Sequence, residues 1–319
     1  MINRRDFIGI TAGVGATLGL TPRLLHALVQ GQIIQRAIPS TGEKIPVIGL
    51  GSSATFSQVA RAEDKSALKA VFQAMAGKGA RVFDTAPSYG ASEQVAGDLV
   101  NEMGIANKFF WATKVNVAGR GGTAADPAAA RAQIEASFAR YKLPKIDLIQ
   151  VHNMGDPATQ LAVAREFKKA GRVRYIGITT TSDNQYGALE QVMRNERLDF
   201  IGIDYAADNR GVEERILPLA IEKKIAVLAY APFGRTSLFR RAGTTPLPEF
   251  AKEFDASTYA QLFLKFILAH PAITAVTPAT SQARNMLDNI GGGIGRLPNE
   301  AQVKQIIAFM DALPPTSGR

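Results

Sequence analysis

Four side chains able to move protons or polarise a carbonyl group stand at the ends of short apolar runs. Asp84 and Lys114 each lie at the end of such a run, His152 directly follows a third, and Tyr89 stands just beyond Asp84. Lysine is almost never buried without a partner, so Asp84 on the adjacent predicted strand is the natural carboxylate for Lys114. A neighbouring lysine favours the phenolate, so we expect Lys114 to lower the pKa of Tyr89 from about 10. Such a tyrosine would exchange a proton near neutral pH, with His152 hydrogen-bonded to the oxygen that receives it.

Each of these side chains also has an ordinary structural explanation. Tyr89 would then be a turn tyrosine, His152 a barrel histidine with satisfied hydrogen bonds, and Lys114–Asp84 a structural ion pair. Because the residues fall together on three successive predicted strand ends, the sequence favours a catalytic role for the group.

The elements that must position these residues alternate, from about Gln32 onward, between apolar runs and helical spacings. The runs are continuous, as expected of parallel strands covered on both faces. Eight strand–helix pairs close a (β/α)8 TIM barrel, an α/β fold, whereas a doubly wound sheet more often has five or six. The predicted strands cover 45–50, 81–84, 109–115, 146–151, 175–178, 200–203, 226–230 and 273–276. The predicted helices cover 62–78, 92–103, a segment beginning near 126–127, 157–170, 183–194, 212–223, 258–269 and 283–290.

Several segments fall outside this repeat. Residues 33–50 are predicted to form an N-terminal hairpin that runs into the first strand, and residues 299–313 an extra C-terminal helix. The long connection 231–257 and the glycine-rich 119–122 are candidate lids, since long loops at the active end of a barrel are usually functional. The candidate pocket walls are Phe56, Trp111 and Phe233, with ordinary packing near the barrel mouth as the alternative for these aromatic residues.

Three stretches carry a family resemblance: Phe83–Gly90 (FDTAPSYG), Ala112–Lys114 (ATK) and Gln150–Asn153 (QVHN). They resemble the aldo-keto reductase superfamily, and the resemblance runs from about residue 45 to 289. It implies a barrel that binds NADPH without a Rossmann fold and transfers hydride from the nicotinamide to an aldehyde or ketone. In that scheme Tyr89 is the general acid, tuned by the neighbouring Lys–Asp pair, and His152 orients the substrate carbonyl.

The same resemblance implies a set of cofactor contacts. It assigns Asn153 to the surroundings of the nicotinamide, Thr179 and Thr180 to its carboxamide, and Tyr230 to stacking on its ring. It assigns the adenosine to the segment from Pro278 to Asn289, called here the adenosine segment. Hydroxyl groups and a helix N-terminus in this segment suit a 2′-phosphate, so we expect NADPH, with NADH as the alternative. The remaining implied contacts are Ser52, Asp84, Ala231, Pro232, Phe233, Gly234, Ala279, Thr280, Ser281, Arg284, Asn285, Asp288 and Asn289.

The chain departs from the family pattern at three positions. Gly202 lies where the family usually has a glutamine that contacts the carboxamide, which leaves room there for water or a looser nicotinamide. Asp288 replaces the usual glutamate with a shorter carboxylate. Asn285 lies where some members have the arginine that selects NADPH, and Arg284 is the substitute one residue earlier.

Two other function classes stay open beside carbonyl reduction. One is a nicotinamide-binding regulatory or slow-turnover protein, as in the potassium-channel β subunits; these lack the family histidine, whereas His152 is present. The other is a Schiff-base lyase using Lys114, which would need no adenosine segment. The sequence names neither the substrate nor the oligomeric state.

Composition excludes further chemistries. The 319 residues contain no cysteine, which excludes disulfides, thiolate nucleophiles and cysteine-bound metals. They contain only three histidines, so we expect no three-histidine metal centre, which would have to use all of them. We predict no metal site. The net charge of +9 comes from scattered basic residues with no basic stretch interleaved with aromatics, so we predict no nucleic-acid partner.

The first thirty residues have the pattern of an export leader. Arg4 and Arg5 precede Asp6-Phe7-Ile8 and an uncharged run that is too short to span a bilayer. The paired arginines resemble the twin-arginine signal, which exports folded proteins through a dedicated machinery. We therefore predict a leader over 1–31, a single barrel domain over 32–319, and a periplasmic protein. The alternatives are a cytoplasmic protein, if the leader is not functional, and a leader retained as a membrane anchor, because no clean small-x-small cleavage site follows.

Overall fold

Eight parallel strands form the centre of the computed structural model, which describes residues 31–314. Each strand pairs in parallel with the next along the chain, and the bridges Ile48–Val276 and Gly51–Ala279 join the last strand to the first. The (β/α)8 barrel predicted from the sequence is therefore confirmed. Its strands are β3 Gly49–Gly51, β4 Val82–Asp84, β5 Phe110–Val115, β6 Ile146–Val151, β7 Val173–Thr180, β8 Phe200–Asp204, β9 Ala226–Tyr230 and β10 Ile273–Val276.

Helices surround the barrel and follow the strands in turn. The helix expected from 62 begins at Ser66, and the one expected over 212–223 is split into a 3-10 turn, Gly211–Glu213, and the α-helix Ile216–Glu222. The α-helices are α1 Thr55–Val59, α2 Ser66–Lys78, α3 Ser92–Glu102, α4 Pro127–Tyr141, α5 Pro157–Lys169, α6 Tyr186–Asn195, α7 Ile216–Glu222, α8 Ser237–Ala242, α9 Tyr259–Ala269, α10 Ala283–Gly291 and α11 Glu300–Ala312. Within residues 31–314, no helix is both long and apolar enough to cross a membrane.

The predicted hairpin is present and closes one end of the barrel. Strand β1 (Gln35–Ala37) pairs antiparallel with β2 (Lys44–Pro46), and Ile38 and Ile45 beside the turn are buried. Both isoleucines pack against inward-facing side chains at the starts of the barrel strands, including those of Val82, Phe110 and Phe200. Burial of this apolar plug leaves the opposite end, where the strands finish, as the open mouth.

The C-terminal helix and the long connection 231–257 are both present outside the strand–helix repeat. The C-terminal helix α11 begins after Asn299, whose side chain accepts from Gln302 in a reciprocal capping box. The connection 231–257, expected as a loop, contains α8 and the 3-10 helix Glu249–Phe254. Thus part of the candidate lid has regular structure.

Two of the three aromatic residues expected in a pocket wall face the outer layer instead. Phe56 and Trp111 are buried in an aromatic cluster between sheet and helices, with Phe83 in contact with both rings at centroid distances of 5.3 and 5.6 Å. Only Phe233 of the three lines the cavity at the mouth. The assignment of Phe56 and Trp111 to the pocket was wrong.

Candidate active site

The predicted catalytic residues converge on one cavity at the open end of the barrel. Asp84 ends β4, Tyr89 lies in the connection that follows it, Lys114 lies near the end of β5, and His152 directly follows β6. Parallel strands finish at the same rim, which is why residues far apart in sequence meet there. All four line a cavity of about 570 Å³.

Lys114 and Asp84 form a buried ion pair at the floor of this cavity. The Lys114 ammonium donates to Asp84 Oδ2 at 2.6 Å and to the carbonyl oxygen of Thr85 at 2.8 Å. The two side chains are only 2% and 5% exposed. Burial raises the pKa of Asp84 above its ordinary value, although the charge of Lys114 and three hydrogen bonds act in the opposite direction. Lys114 and Asp84 are therefore paired in a region that water barely reaches.

Tyr89 and His152 face each other above that pair. The Tyr89 hydroxyl and His152 Nε2 are 3.3 Å apart, and the rings meet edge to face. Burial, followed by the positive charges of Lys114 and Arg120, lowers the pKa of His152 to about 3, so the imidazole is neutral at neutral pH. Its Nδ1 atom is buried and has no hydrogen-bond partner among the described residues.

The expected lowering of the Tyr89 pKa was wrong for the protein as it stands. Lys114 lies 5.4 Å from the centroid of the Tyr89 ring and does lower the pKa, but burial raises it by more, and Asp84 adds to the increase. The net direction is upward from 10. Tyr89 is therefore a protonated phenol across the neutral range, which is the form that a proton donor needs.

A second tyrosine also contacts Asp84, in an arrangement that the sequence did not predict. The Tyr230 hydroxyl donates to Asp84 Oδ1 at 3.2 Å, and the amide of Gln150 donates to the same oxygen at 3.2 Å. Gln150 and Tyr230 are themselves 3.0 Å apart. Gln150 lies two residues before His152 on β6, and the period of two in strands was the signal that it shares the inner face.

Gly202 does not leave the open space that its difference from the family pattern suggested. A Cβ atom at this position would lie 2.3 Å from Cε2 of Tyr230, so the tyrosine ring fills that space. The hydroxyl group of Tyr230 bonds to Asp84. A nicotinamide that stacks on Tyr230, as expected from the sequence, would therefore have to meet the ring in this position.

The expected cofactor residues fall into two groups. The first group lines the cavity. Within it, the backbone N–H of Asn153 donates to Thr179 Oγ1 at 3.1 Å, and Ser52 Oγ donates to Thr85 Oγ1 at 2.6 Å. These bonds fix the residue after β3 and the segment after β6 beside the candidate catalytic residues. The cavity-lining members are Ser52, Asp84, Asn153, Thr179, Tyr230, Ala231, Pro232, Phe233 and Ala279.

The second group does not line this cavity. Thr180 is buried and donates to Gln185 Oε1 at 2.6 Å. Asp288 accepts from the hydroxyl of Thr258 at 2.9 Å and from the amide of Gln261 at 2.8 Å, which ties α10 to α9. The other members follow the cavity-lining segments along the chain: Gly234, Thr280, Ser281, Arg284, Asn285 and Asn289.

The cavity also contains two arginines that the sequence did not single out. Arg235 follows β9, and its guanidinium lies 3.4 Å from the carboxylate of Asp204. Arg120 follows β5, inside the glycine-rich segment flagged as a lid. Nothing but that loop position indicated Arg120. In the part of the chain that the structure describes, no group of three histidine or acidic side chains is arranged to hold a metal ion.

Comparisons with known proteins agree with this geometry. A family model described as "Aldo/keto reductase family" matches residues 47–308. The chain is 30% identical over 208 residues to aldo-keto reductase YhdN of Bacillus subtilis, an alignment that spans 62% of each protein. It is 26% identical over 256 residues to methylglyoxal reductase YeaE of Escherichia coli, covering 78% of this chain and 86% of that protein. An aldo-keto reductase of Klebsiella pneumoniae, solved in complex with NADPH, shares the fold at a TM-score of 0.71 and 20% identity, with 90% of this chain and 98% of that one covered.

Proposed function

The chain belongs to the aldo/keto reductase family, which makes it an NAD(P)H-dependent oxidoreductase, and we propose that it reduces an aldehyde or ketone with NADPH as cofactor and Tyr89 as general acid. The observation that carries this proposal is the convergence of a protonated phenol and a neutral imidazole on one cavity. The Tyr89 hydroxyl and His152 Nε2 are 3.3 Å apart there, above the buried Lys114–Asp84 pair. Two such groups can bind a single carbonyl oxygen between them.

The residues of the cavity suit a nicotinamide cofactor. The hydroxyl of Thr277 is buried in the cavity wall and lacks a hydrogen-bond partner among the described residues, so a polar ligand group would satisfy it. Arg235 lines the cavity where β9 ends, and its guanidinium suits the phosphates of a dinucleotide. The Klebsiella relative is in complex with NADPH, and this supports NADPH over NADH.

The proposed contacts for the cofactor are taken from those that the family resemblance implied, with Arg235 added because it lines the cavity. Asn153, Thr179 and Tyr230 would hold the nicotinamide end, and the segment from 231 to 234 with Arg235 would lie along the phosphates. Residues 279–289 would receive the adenosine. Bound there, the reduced cofactor supplies the hydride.

The remaining chemistry belongs to the side chains of the protein. Neutral His152 donates a hydrogen bond to the substrate carbonyl oxygen and fixes its orientation. Tyr89 then transfers its proton to that oxygen as the alkoxide develops. Lys114 stabilises the resulting phenolate, because its ammonium lies 5.4 Å from the ring centroid and is itself anchored by Asp84. Burial of the whole group excludes water from the reacting atoms.

A direct test combines cofactor binding with turnover. Purified protein should change the fluorescence of NADPH on binding, and NADPH should then be consumed when members of a panel of aldehydes and ketones are added. Failure to bind NADPH would overturn the cofactor assignment. Binding without consumption across the panel would overturn the catalytic assignment and favour a nicotinamide-binding regulatory protein.

We also propose that the N-terminal segment exports the protein to the periplasm by the twin-arginine route. Arg4 and Arg5, which carry this proposal, lie outside the described residues. The route moves folded cargo, so a nucleotide made in the cytoplasm would travel with the barrel. Without renewal of reduced cofactor outside, each molecule would turn over slowly or cycle its cofactor between two substrates.

Fractionation of cells producing two forms of the protein tests this route. Replacing Arg4 and Arg5 together by lysine should keep the protein in the cytoplasm, folded and active, while the parent form is recovered outside it. Equal export of both forms, or export of neither, would overturn the proposal and leave the proposed reductase activity untouched.

A further inference from the structure

Arg120 lies at the mouth of the cavity on a loop that is fixed to the catalytic histidine's own segment. The amide of Gly121 donates to the carbonyl of Asn153 at 3.0 Å, and the amide of Asp156 donates to the carbonyl of Gly122 at 2.5 Å. Both bonds lie just C-terminal to the arginine, and they join its loop to the segment that follows His152. The backbone of Arg120 therefore has a defined position relative to the reacting group.

The charges that line the cavity leave Arg120 without a counter-ion. Lys114 is paired with Asp84 at 2.6 Å, and Arg235 is 3.4 Å from Asp204. Within residues 31–314, no carboxylate lies within 4 Å of the Arg120 guanidinium. Arg120 is exposed at the cavity mouth, and the other two cations that line the cavity are paired, so Arg120 is available to a ligand.

Arg120 is on the side of the mouth that carries Tyr89 and His152. Its loop follows β5, between the strands whose ends lead to Tyr89 and His152. Arg235 follows β9, which is four strands away and therefore opposite in an eight-stranded barrel. The charge of Arg120 also lowers the pKa of both Tyr89 and His152, which shows that its field reaches the atoms proposed to react.

We propose that Arg120 binds a carboxylate group of the substrate, so that the substrate is an aldehyde or ketone that also carries a carboxylate. This inference rests on the proposed carbonyl reduction. A guanidinium offers two parallel N–H donors that match the two oxygens of a carboxylate, and such charged hydrogen bonds are about twice as strong as neutral ones. With the carbonyl oxygen held between Tyr89 and His152, the carboxylate fixes the other end of the molecule.

Matched substrate pairs test this subsite. The kcat/KM for glyoxylate, succinic semialdehyde and 4-carboxybenzaldehyde is compared with that for the methyl ester of each, in the parent protein and in Arg120→Met. The ratio of acid to ester should fall roughly 10- to 100-fold in the variant, which corresponds to the loss of one charged hydrogen-bond pair. Arg120→Lys keeps the charge but loses the two parallel N–H donors, so its acid-to-ester ratio should lie between those of the parent protein and Arg120→Met.

Arg197→Met is the matched control. Arg197 is exposed in the loop that precedes β8, at the opposite end of the barrel from the mouth, so its removal changes the net charge equally without touching the cavity. The acid-to-ester ratio should stay at its parent value in this variant. An equal fall in both variants would mean that general electrostatic attraction, rather than a subsite, sets the preference, and would overturn the proposal.

Binding of a non-reacting acid separates this proposal from the proposed function. Calorimetry compares benzoate with benzamide, with NADPH present, for the parent protein and Arg120→Met. Tighter binding of benzoate that is lost in the variant supports the subsite even if no carbonyl compound is reduced. Reduction of neutral aldehydes with no preference for acids, and no difference between benzoate and benzamide, would overturn the subsite while leaving carbonyl reduction in place.

Discussion

The ring of Tyr230 lies where a side chain at position 202 would stand. A Cβ atom built on Gly202 would come within 2.3 Å of Cε2 and 2.5 Å of the hydroxyl oxygen of Tyr230. These residues belong to the neighbouring strands β8 and β9, and the missing side chain lets the phenol cross the barrel to Asp84 on β4. Gly202 is thus a requirement for one of the hydrogen bonds that hold the buried carboxylate of Asp84.

Gly202→Ala should destabilise the protein through this contact. The added methyl group would force the Tyr230 ring away from Asp84, and overpacking of a filled site typically costs about 1–3 kcal/mol. We expect the free energy of unfolding in urea to fall by that amount, with a lower kcat for any carbonyl substrate. Gly77→Ala is the control, because Gly77 lies in α2 with nothing within 4 Å of its Cβ position and should be neutral or stabilising.

A double-mutant cycle identifies the cause. In a Tyr230→Ala background, the space above position 202 is empty, so Gly202→Ala should cost much less than it does in the parent protein. If the cost of Gly202→Ala is the same in both backgrounds, the clash with Tyr230 is not its origin.

Tyr89→Phe should nearly abolish carbonyl reduction while keeping cofactor binding. The substitution removes the proton donor and keeps the ring, and general acid catalysis is typically worth about 10²–10⁴-fold in rate. The measurement is kcat/KM on a good aldehyde together with the dissociation constant for NADPH. Tyr259→Phe is the control, since Tyr259 bonds to the carbonyls of Thr245 and Pro246 and does not line the cavity. A Tyr89→Phe rate above about half that of the parent would show that another group is the acid.

Much of the fold, and the convergence of the candidate catalytic residues, was predictable from local sequence. Continuous apolar runs specify buried parallel strands, and once eight of them form a barrel, every strand end meets at one rim. Asp84, Lys114 and His152 could therefore be grouped without any knowledge of distances. The same strand geometry also contained a signal that was missed: Lys114 faces the cavity, so Trp111, three residues away on β5, must face the other side.

The second set of contacts to Asp84 was not predictable by this route. The bond from Tyr230 joins residues 146 positions apart, and that from Gln150 joins residues 66 apart. The bond from Tyr230 depends on the path of its ring through space left by Gly202 on a third strand. No spacing in the sequence specifies such a path. The pKa of Tyr89 was likewise mispredicted, because the neighbouring charge was visible in the sequence while the larger effect of burial was not.

His152 should stay neutral throughout the physiological range. Burial and nearby positive charges lower its pKa to about 3, so protonation is unfavourable until well below pH 5. We expect its imidazole NMR signals, assigned by comparison with His152→Gln, to show no titration between pH 5 and 8. Any change of kcat/KM with pH between pH 5 and 8 should also be present in His152→Gln, because His152 does not titrate there. A midpoint between pH 6 and 7 for this histidine would contradict the proposed role of the neutral ring as hydrogen-bond donor.

Removing Lys114 should make the free energy of unfolding depend on pH through the buried carboxyl group of Asp84. Burial already raises the pKa of Asp84, and Lys114→Met removes the main opposing charge, so the pKa should rise further. A group whose pKa is higher in the folded than in the unfolded state stabilises the fold at low pH and loses that contribution as pH rises. Lys114→Met should therefore unfold at lower urea concentration at pH 8 than at pH 5. Breaking a buried pair typically costs about 3–5 kcal/mol, and we expect the loss at pH 8 to approach that range.

In the double variant Lys114→Met/Asp84→Asn no carboxylate remains to titrate, so this added pH dependence should vanish. An equal loss of stability at both pH values in Lys114→Met would mean that Asp84 stays ionised without its lysine, held by Tyr230 and Gln150 alone.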